Sequence, residues 1–310
     1  MKRVIFSLYI DIPENDLDYQ PPYPDDDIPK TLRTKYALKD NYDFLKQRQQ
    51  EYASKIGVDY ILYEYDDEYK SYLEMFLKKY PFITAYNVVN FYKIQKLYDL
   101  SEKYDELLYL DFDVIPTNTN NFFESFDLNK GIAIQNNFKD HELELDYDSL
   151  MYHHLKKSIK YKDVQKSEDS GKSNRSPESK YWNAMALNIE RCGVTRSSSY
   201  NTGIIGTTSS NIKKLNYWED FSELLSFMTE LKDDEMWPEQ LRRYFGWDNE
   251  TIWGHRVELN SVNTQELGED WHFRFWREYH IPQTINFIHA LNKDFDYVKK
   301  WLEENDKINL

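Results

Sequence analysis

The sequence predicts an α/β protein with a mostly parallel central sheet flanked by helices, and three observations predict it. Short unbroken apolar runs such as Leu107-Leu108-Tyr109-Leu110 suit strands buried on both faces, because alternation is required only where one face meets water. The first segments follow the order strand, helix, strand, which is the βαβ beginning of a parallel sheet. The 310 residues suffice for a large α/β core, and a single domain over 1–310 is expected.

Val4 to Ile10 reads as the first buried strand, and the acidic, proline-rich segment through Pro29 reads as a loop. One helix is predicted over 34–56, ending at Gly57 in the C-cap manner. Val58 to Tyr63 is the second strand, and the acidic run Glu64 to Glu68 reads as a solvated turn. After Pro81 a long helix is predicted over 84–103, with Phe91, Ile94 and Tyr98 on one stripe. Lys93 lies off that stripe and is either surface filler or a phosphate-facing base.

The helix delivers the chain into the strand ending Leu110-Asp111-Phe112-Asp113, after which Val114 and Ile115 run to Pro116. Open α/β sheets bind ligands at the carboxyl ends of their strands. Two carboxylates this close repel each other unless a cation or a shared proton relieves them. Asp is also a favoured turn residue, so the placement after a buried strand is what argues for metal.

Gly131 to Gln135 is a further strand, and 141–180 is polar enough to be a mobile, lid-like excursion. His153-His154 within it read as solvent-facing. In Tyr200-Asn201-Thr202-Gly203 the amide can meet hydroxyls and the glycine allows close approach to the backbone; a turn into an edge strand is the plainer reading. A helix is predicted over 211–231. Trp247-Asp248-Asn249-Glu250 then sets acids and an amide among aromatics, as a sugar pocket would, while Asp248 also fits a helix N-cap. Thr284 to Ile288 is a short approach to His289, with Lys293 four residues on.

Composition removes several classes. A net charge of −15 argues against a nucleic-acid partner, which needs clustered Lys and Arg, but not against a nucleotide held through a cation. The chain has no run long and apolar enough to span a membrane, and Met1-Lys2-Arg3 leads into a strand without a signal pattern; a soluble, cytoplasmic protein is expected. Cys192, the one cysteine, precludes an internal disulfide and reads as an ordinary buried residue.

Taken in order, Tyr109-Leu110-Asp111-Phe112-Asp113, Asn201-Thr202-Gly203-Ile204, Asp248-Asn249-Glu250 and Ile288-His289 with Lys293 resemble glycosyltransferases of the GT-A fold, in the glycogenin-like and lipopolysaccharide-galactosyltransferase-like group. The resemblance spans nearly the whole chain. It implies a Rossmann-like GT-A domain that moves a sugar from a nucleotide-diphosphate donor, a UDP-sugar first, to a hydroxyl on a glycan, lipid-linked or protein acceptor. It assigns Asp111, Asp113 and His289 to a manganese ion, with magnesium the alternative, and Lys293 to the diphosphate, for which Lys93 is a further candidate donor contact read from the residues alone. Ser7 and Tyr9 would face the nucleoside, and Asn201, Gly203 and Asp248 the sugar, with Glu250 as base or Asn249 as the amide of a retaining site. Two departures stand out: Ala290-Leu291-Asn292 occupies the family's glycine-containing spacing, and Asp248-Asn249 stands where the family often shows Asp-Gln.

Rival readings are a nucleotidyltransferase, for which 11–29 offers acids and prolines rather than a basic phosphate loop, and a noncatalytic carbohydrate-binding protein. A haloacid-dehalogenase-type phosphatase would want Thr or Val where Ile115 stands.

Overall fold

The computed structural model describes residues 1–17, 28–138, 177–194, 196–237, 239–242, 245–276, 280–307 and 310. The chain divides into two compact units, the first made of Met1–Ala133, Gly203–Ser209 and Gln265–Leu310, the second of Ile134–Thr202 and Ser210–Thr264. Its strands are β1 (Arg3–Tyr9), β2 (Asp59–Glu64), β3 (Glu106–Leu110), β4 (Val114–Pro116), β5 (Ile132–Phe138), β6 (Ser199–Thr208), β7 (Thr264–Glu266), β8 (Phe273–Arg274) and β9 (Phe287–His289). They form a six-stranded sheet ordered β2-β1-β3-β6-β5-β7 and a three-stranded sheet ordered β4-β9-β8.

In the first unit β1 is parallel to both β2 and β3, the βαβ order the sequence predicts, and β2, at the sheet edge, has no fully buried residue. All five residues of β3 are buried. β6 runs antiparallel to β3, with Leu110 opposite Ile204, so Gly203 lies in a strand rather than in a turn. Its carbonyl accepts the Asp111 N–H at 2.7 Å.

The single helix predicted over 34–56 is two, α1 (Lys30–Asp40) and α2 (Tyr42–Lys55). Asn41 separates them: its side-chain amide and its N–H both donate to Ala37 O, satisfying a helix-end carbonyl and halting α1. Gly57 follows α2 at φ 71, the left-handed position that favours glycine.

The acidic run Glu64 to Glu68 proves not to be only a solvated turn. Asp66 N-caps α3 (Asp67–Lys79), accepting from Tyr69 N at 2.9 Å, and Asp67 and Glu68 occupy its first turn, where carboxylates offset the helix dipole. Thr84 caps α4 (Ala85–Ser101), which matches the helix expected after Pro81.

In the second unit α5 (Pro177–Cys192) begins inside the segment expected to be polar excursion; Pro at a first helical position needs no donor. The rest of that segment, 141–176, including His153-His154, lies outside the described residues. The helix predicted over 211–231 is also two, α6 (Ser209–Leu215) and α7 (Phe221–Glu230). Asn216 and Asp220, at φ 47 and 42, break it, because left-handed residues cannot continue a right-handed helix. Asp220 is pinned there by ion pairs from Arg191 and Arg256. Cys192 is only partly buried, its thiol on Asn188 O at 3.2 Å.

Further along this unit, α8 (Asn249–Leu259) packs on α5. His255 is fully buried on it, with Nδ1 2.8 Å from Asn188 Oδ1. Burial, reinforced by Arg256 and Arg191, pushes its pKa down to about 3. Unfolding releases an ordinary imidazole near 6.5, so between those values the unfolded chain binds the extra proton and stability falls as pH falls. The expected loss from this group between pH 7.5 and pH 5 is about 2 kcal/mol. Urea unfolding of the native chain and His255→Gln at both pH values checks it: the variant should lose less on acidification, and an equal loss would refute the assignment.

Candidate metal centre

The sequence brings two carboxylates to the end of a buried strand, and the tertiary pairing adds the third ligand. β4 and β9 are antiparallel with Val114 opposite His289, which sets His289 beside Asp113. The Ala290 N–H donates to Asp113 O at 3.1 Å, holding the two segments together past the ladder. Side chains from both segments divide between two cores: Leu110, Val114 and Phe287 enter one, and Phe112, Ile115, Ile288 and Ala290 the other. The polar residues Asp111, Asp113 and His289 belong to neither.

The loop that carries the acids is fixed from α2. Gln49 Nε2 donates to Asp111 O at 3.0 Å and Val114 O at 2.8 Å, while Arg48 donates to Pro116 O at 2.7 Å. Gln49 Oε1 in turn accepts from Ser7 Oγ and Tyr60 Oη. Gln49 and Arg48 were not singled out in the sequence; a buried polar pair on a helix over a sheet shows no periodic signal that separates it from surface.

One ligand atom from each of Asp111, Asp113 and His289 can be chosen so that all lie within 4.8 Å of one another. His289 Nε2 is 3.7 Å from Asp111 Oδ2 and 3.4 Å from Asp113 Oδ2. Atoms each about 2.1 Å from one ion have such separations, and two carboxylates with an imidazole form a donor set that binds divalent transition metals. These residues therefore fit a cation. The side chains of Asp113 and His289 are 8% and 4% exposed and that of Asp111 is 28% exposed, so the group faces solvent through Asp111.

Positive charge surrounds the acids. Lys293 bonds to Asp113 Oδ2. Burial alone would raise the Asp113 carboxyl, but Lys293 and His289 outweigh it and hold the group well below the usual carboxylate range. Lys293, whose side chain is 15% exposed, stays above its ordinary value because the charge and hydrogen bond of Asp113 outweigh its desolvation. Its backbone is left-handed at φ 59. On the other side, Asp111 Oδ1 accepts from Tyr109 Oη at 2.5 Å and lies 3.6 Å from Lys93 Nζ. Lys93 is buried, which removes the surface-filler reading. Burial and the Asp111 charge push the Tyr109 phenol far up, so it is a fixed donor.

Ser7 is fully buried with its hydroxyl donating to Gln49. Tyr9 packs on Tyr42 and Phe112, and burial with Asp11 pushes its phenol up to about 12. Asn201 stands in β6. In the second unit Asp248 N-caps α8, its Oδ1 accepting from Glu250 N at 3.0 Å and Thr251 N at 2.8 Å. Burial raises its carboxyl. Glu250 Oε1 accepts from Thr202 N at 2.9 Å and its Oε2 pairs with Lys180, while the Asn249 amide donates to Thr202 Oγ1 at 2.8 Å.

No family model matches the chain, and no curated protein matches it. Solved structures similar to it include a glycosyltransferase involved in glycosylation of the major capsid of PBCV-1, at 13% identity and TM-score 0.41, covering 98% of this chain and 100% of that one. Mouse xyloside xylosyltransferase 1 is similar at 10% identity and TM-score 0.38, over 76% and 77% of the two chains. The galactosyltransferase LgtC, in complex with donor and acceptor sugar analogs, is similar at 10% identity and TM-score 0.37, over 93% and 87%. These neighbours are glycosyltransferases. Among the described residues no helix is long and apolar enough to cross a membrane.

Proposed function

We propose that this chain is a metal-dependent glycosyltransferase that moves a sugar from a nucleotide-diphosphate donor, a UDP-sugar first, to a hydroxyl acceptor. The observation that carries the reading is the convergence of Asp111 and Asp113 with His289, which lies 176 residues further along the chain, at a solvent-facing group of ligand atoms. Manganese is the ion we assign, because a mixed carboxylate and imidazole set suits it better than magnesium. When bound, it offsets the charge that grows on the departing diphosphate. Asp111 and Asp113 supply oxygens and His289 a nitrogen. Tyr109 and Lys93 steady Asp111 from its far oxygen, and Lys293 adds positive charge beside Asp113.

The sugar-facing roles of Asn201, Gly203, Asp248, Asn249 and Glu250 remain separate assignments. Retention is the stereochemical course we assign. Asp248 already serves as a helix cap and Glu250 is paired with Lys180, so both carboxylates have partners within the fold. Incubation with UDP-glucose, UDP-galactose and GDP-sugars plus Mn2+ tests the whole reading. Release of free nucleotide is expected with at least one UDP-sugar and its loss with EDTA, and proton NMR of the product should show the donor's anomeric configuration preserved. A chain that binds sugar yet releases no nucleotide from any of these donors is a carbohydrate-binding protein instead.

A further inference from the structure

His289 can offer a cation its Nε2 lone pair only if its proton sits on Nδ1, and metal-ligating histidines characteristically donate that N–H to a neighbouring acceptor. Nδ1 lies 2.9 Å from His272 Nε2. The ring planes are 19° apart with centroids 5.1 Å apart; since the facing nitrogens are much closer than the centroids, the contact is in-plane, as an N–H···N bond requires. Both imidazoles are buried, at 0% and 3% exposure.

Backbone pairing fixes the geometry. The His272 N–H donates to Gly268 O at 3.1 Å, Phe275 N donates to His289 O at 2.9 Å, and β8 and β9 are parallel with Arg274 opposite His289.

We infer that His272 is a positioning residue for the metal centre: its bare Nε2 accepts the His289 Nδ1 proton, leaving His289 Nε2 directed at Asp111 and Asp113 as a ligand. The inference rests on the metal reading above. It requires His272 to be neutral with its own proton on Nδ1. The charge balance is unchanged, because each ring carries one proton.

Mn2+ binding to the full chain, measured by calorimetry for wild type, His272→Phe and His272→Gln, tests it. Phe fills the space but accepts no proton, so its affinity should fall by about 10- to 100-fold. Gln can present a carbonyl oxygen near the lost nitrogen and should recover most of the affinity. If His272→Phe does not fold, nitrogen-15 NMR of the wild-type histidines with Zn2+ decides, with the His289 signal identified by its loss in His289→Asn. Protonated Nδ1 on His289 is the expected tautomer, and a protonated Nε2 overturns the inference. Wild-type chain that binds no Mn2+ overturns the metal reading and this inference together. Wild-type binding with an equally tight, folded His272→Phe overturns the inference alone.

Discussion

Asp113→Asn is expected to abolish turnover, by about 10³-fold or more, since a ligand to a charge-stabilising cation supplies several kcal/mol in the transition state and each 1.4 kcal/mol is tenfold. Asn keeps the shape of Asp113 and its backbone bond to Ala290 but loses the charge that Lys293, His289 and a cation share. Its removal also leaves the largely buried Lys293 short of a counter-charge, which costs about 3 kcal/mol when the pair is desolvated. Two readouts are therefore expected to move together: sugar transfer disappears, and the urea midpoint falls while the transition stays cooperative. Full activity in excess Mn2+ would falsify the ligand assignment.

The second large effect is on stability alone. Asp220→Asn should destabilise the chain by about 3 kcal/mol, because it strips the counter-charge from a fully buried arginine. Arg256 has no side-chain exposure, donates to Asp220 Oδ1 at 2.5 Å and also to Glu219 O, and Arg191 pairs with the second carboxylate oxygen. Asn tolerates the left-handed backbone at this position, so the measured cost isolates charge from conformation. Equilibrium unfolding in urea at pH 7.5 gives the number; a change below experimental scatter would mean that Glu219 O by itself suffices for Arg256.

Legibility followed the range of the interactions. Strands whose cores are unbroken apolar runs, β1, β2 and β3, were readable, and so was α4, whose Thr84 cap and preceding Pro81 mark its start. The helices that were misjudged were misjudged at breaks. Asn41 and Asn216 look like ordinary helix surface in one dimension, and what stops the helix is a side-chain bond to Ala37 O in one case and a backbone held left-handed in the other. The helix α3 was missed because its acidic first turn reads equally as a solvated loop. Only Asp66 accepting from Tyr69 N separates the two.

What the sequence determined was local: apolar runs long enough to be buried strands, and Asp111 and Asp113 in the turn that leaves one of them. Tertiary structure decided which residues share that turn. The register of β4 against β9 delivers His289, and α2 supplies Gln49 to clamp the loop. His272 reaches the cluster because β8 pairs with β9. Hydrophobic periodicity tells each segment which face to bury, but partners far apart in the chain meet through packing and strand register, which no single segment encodes.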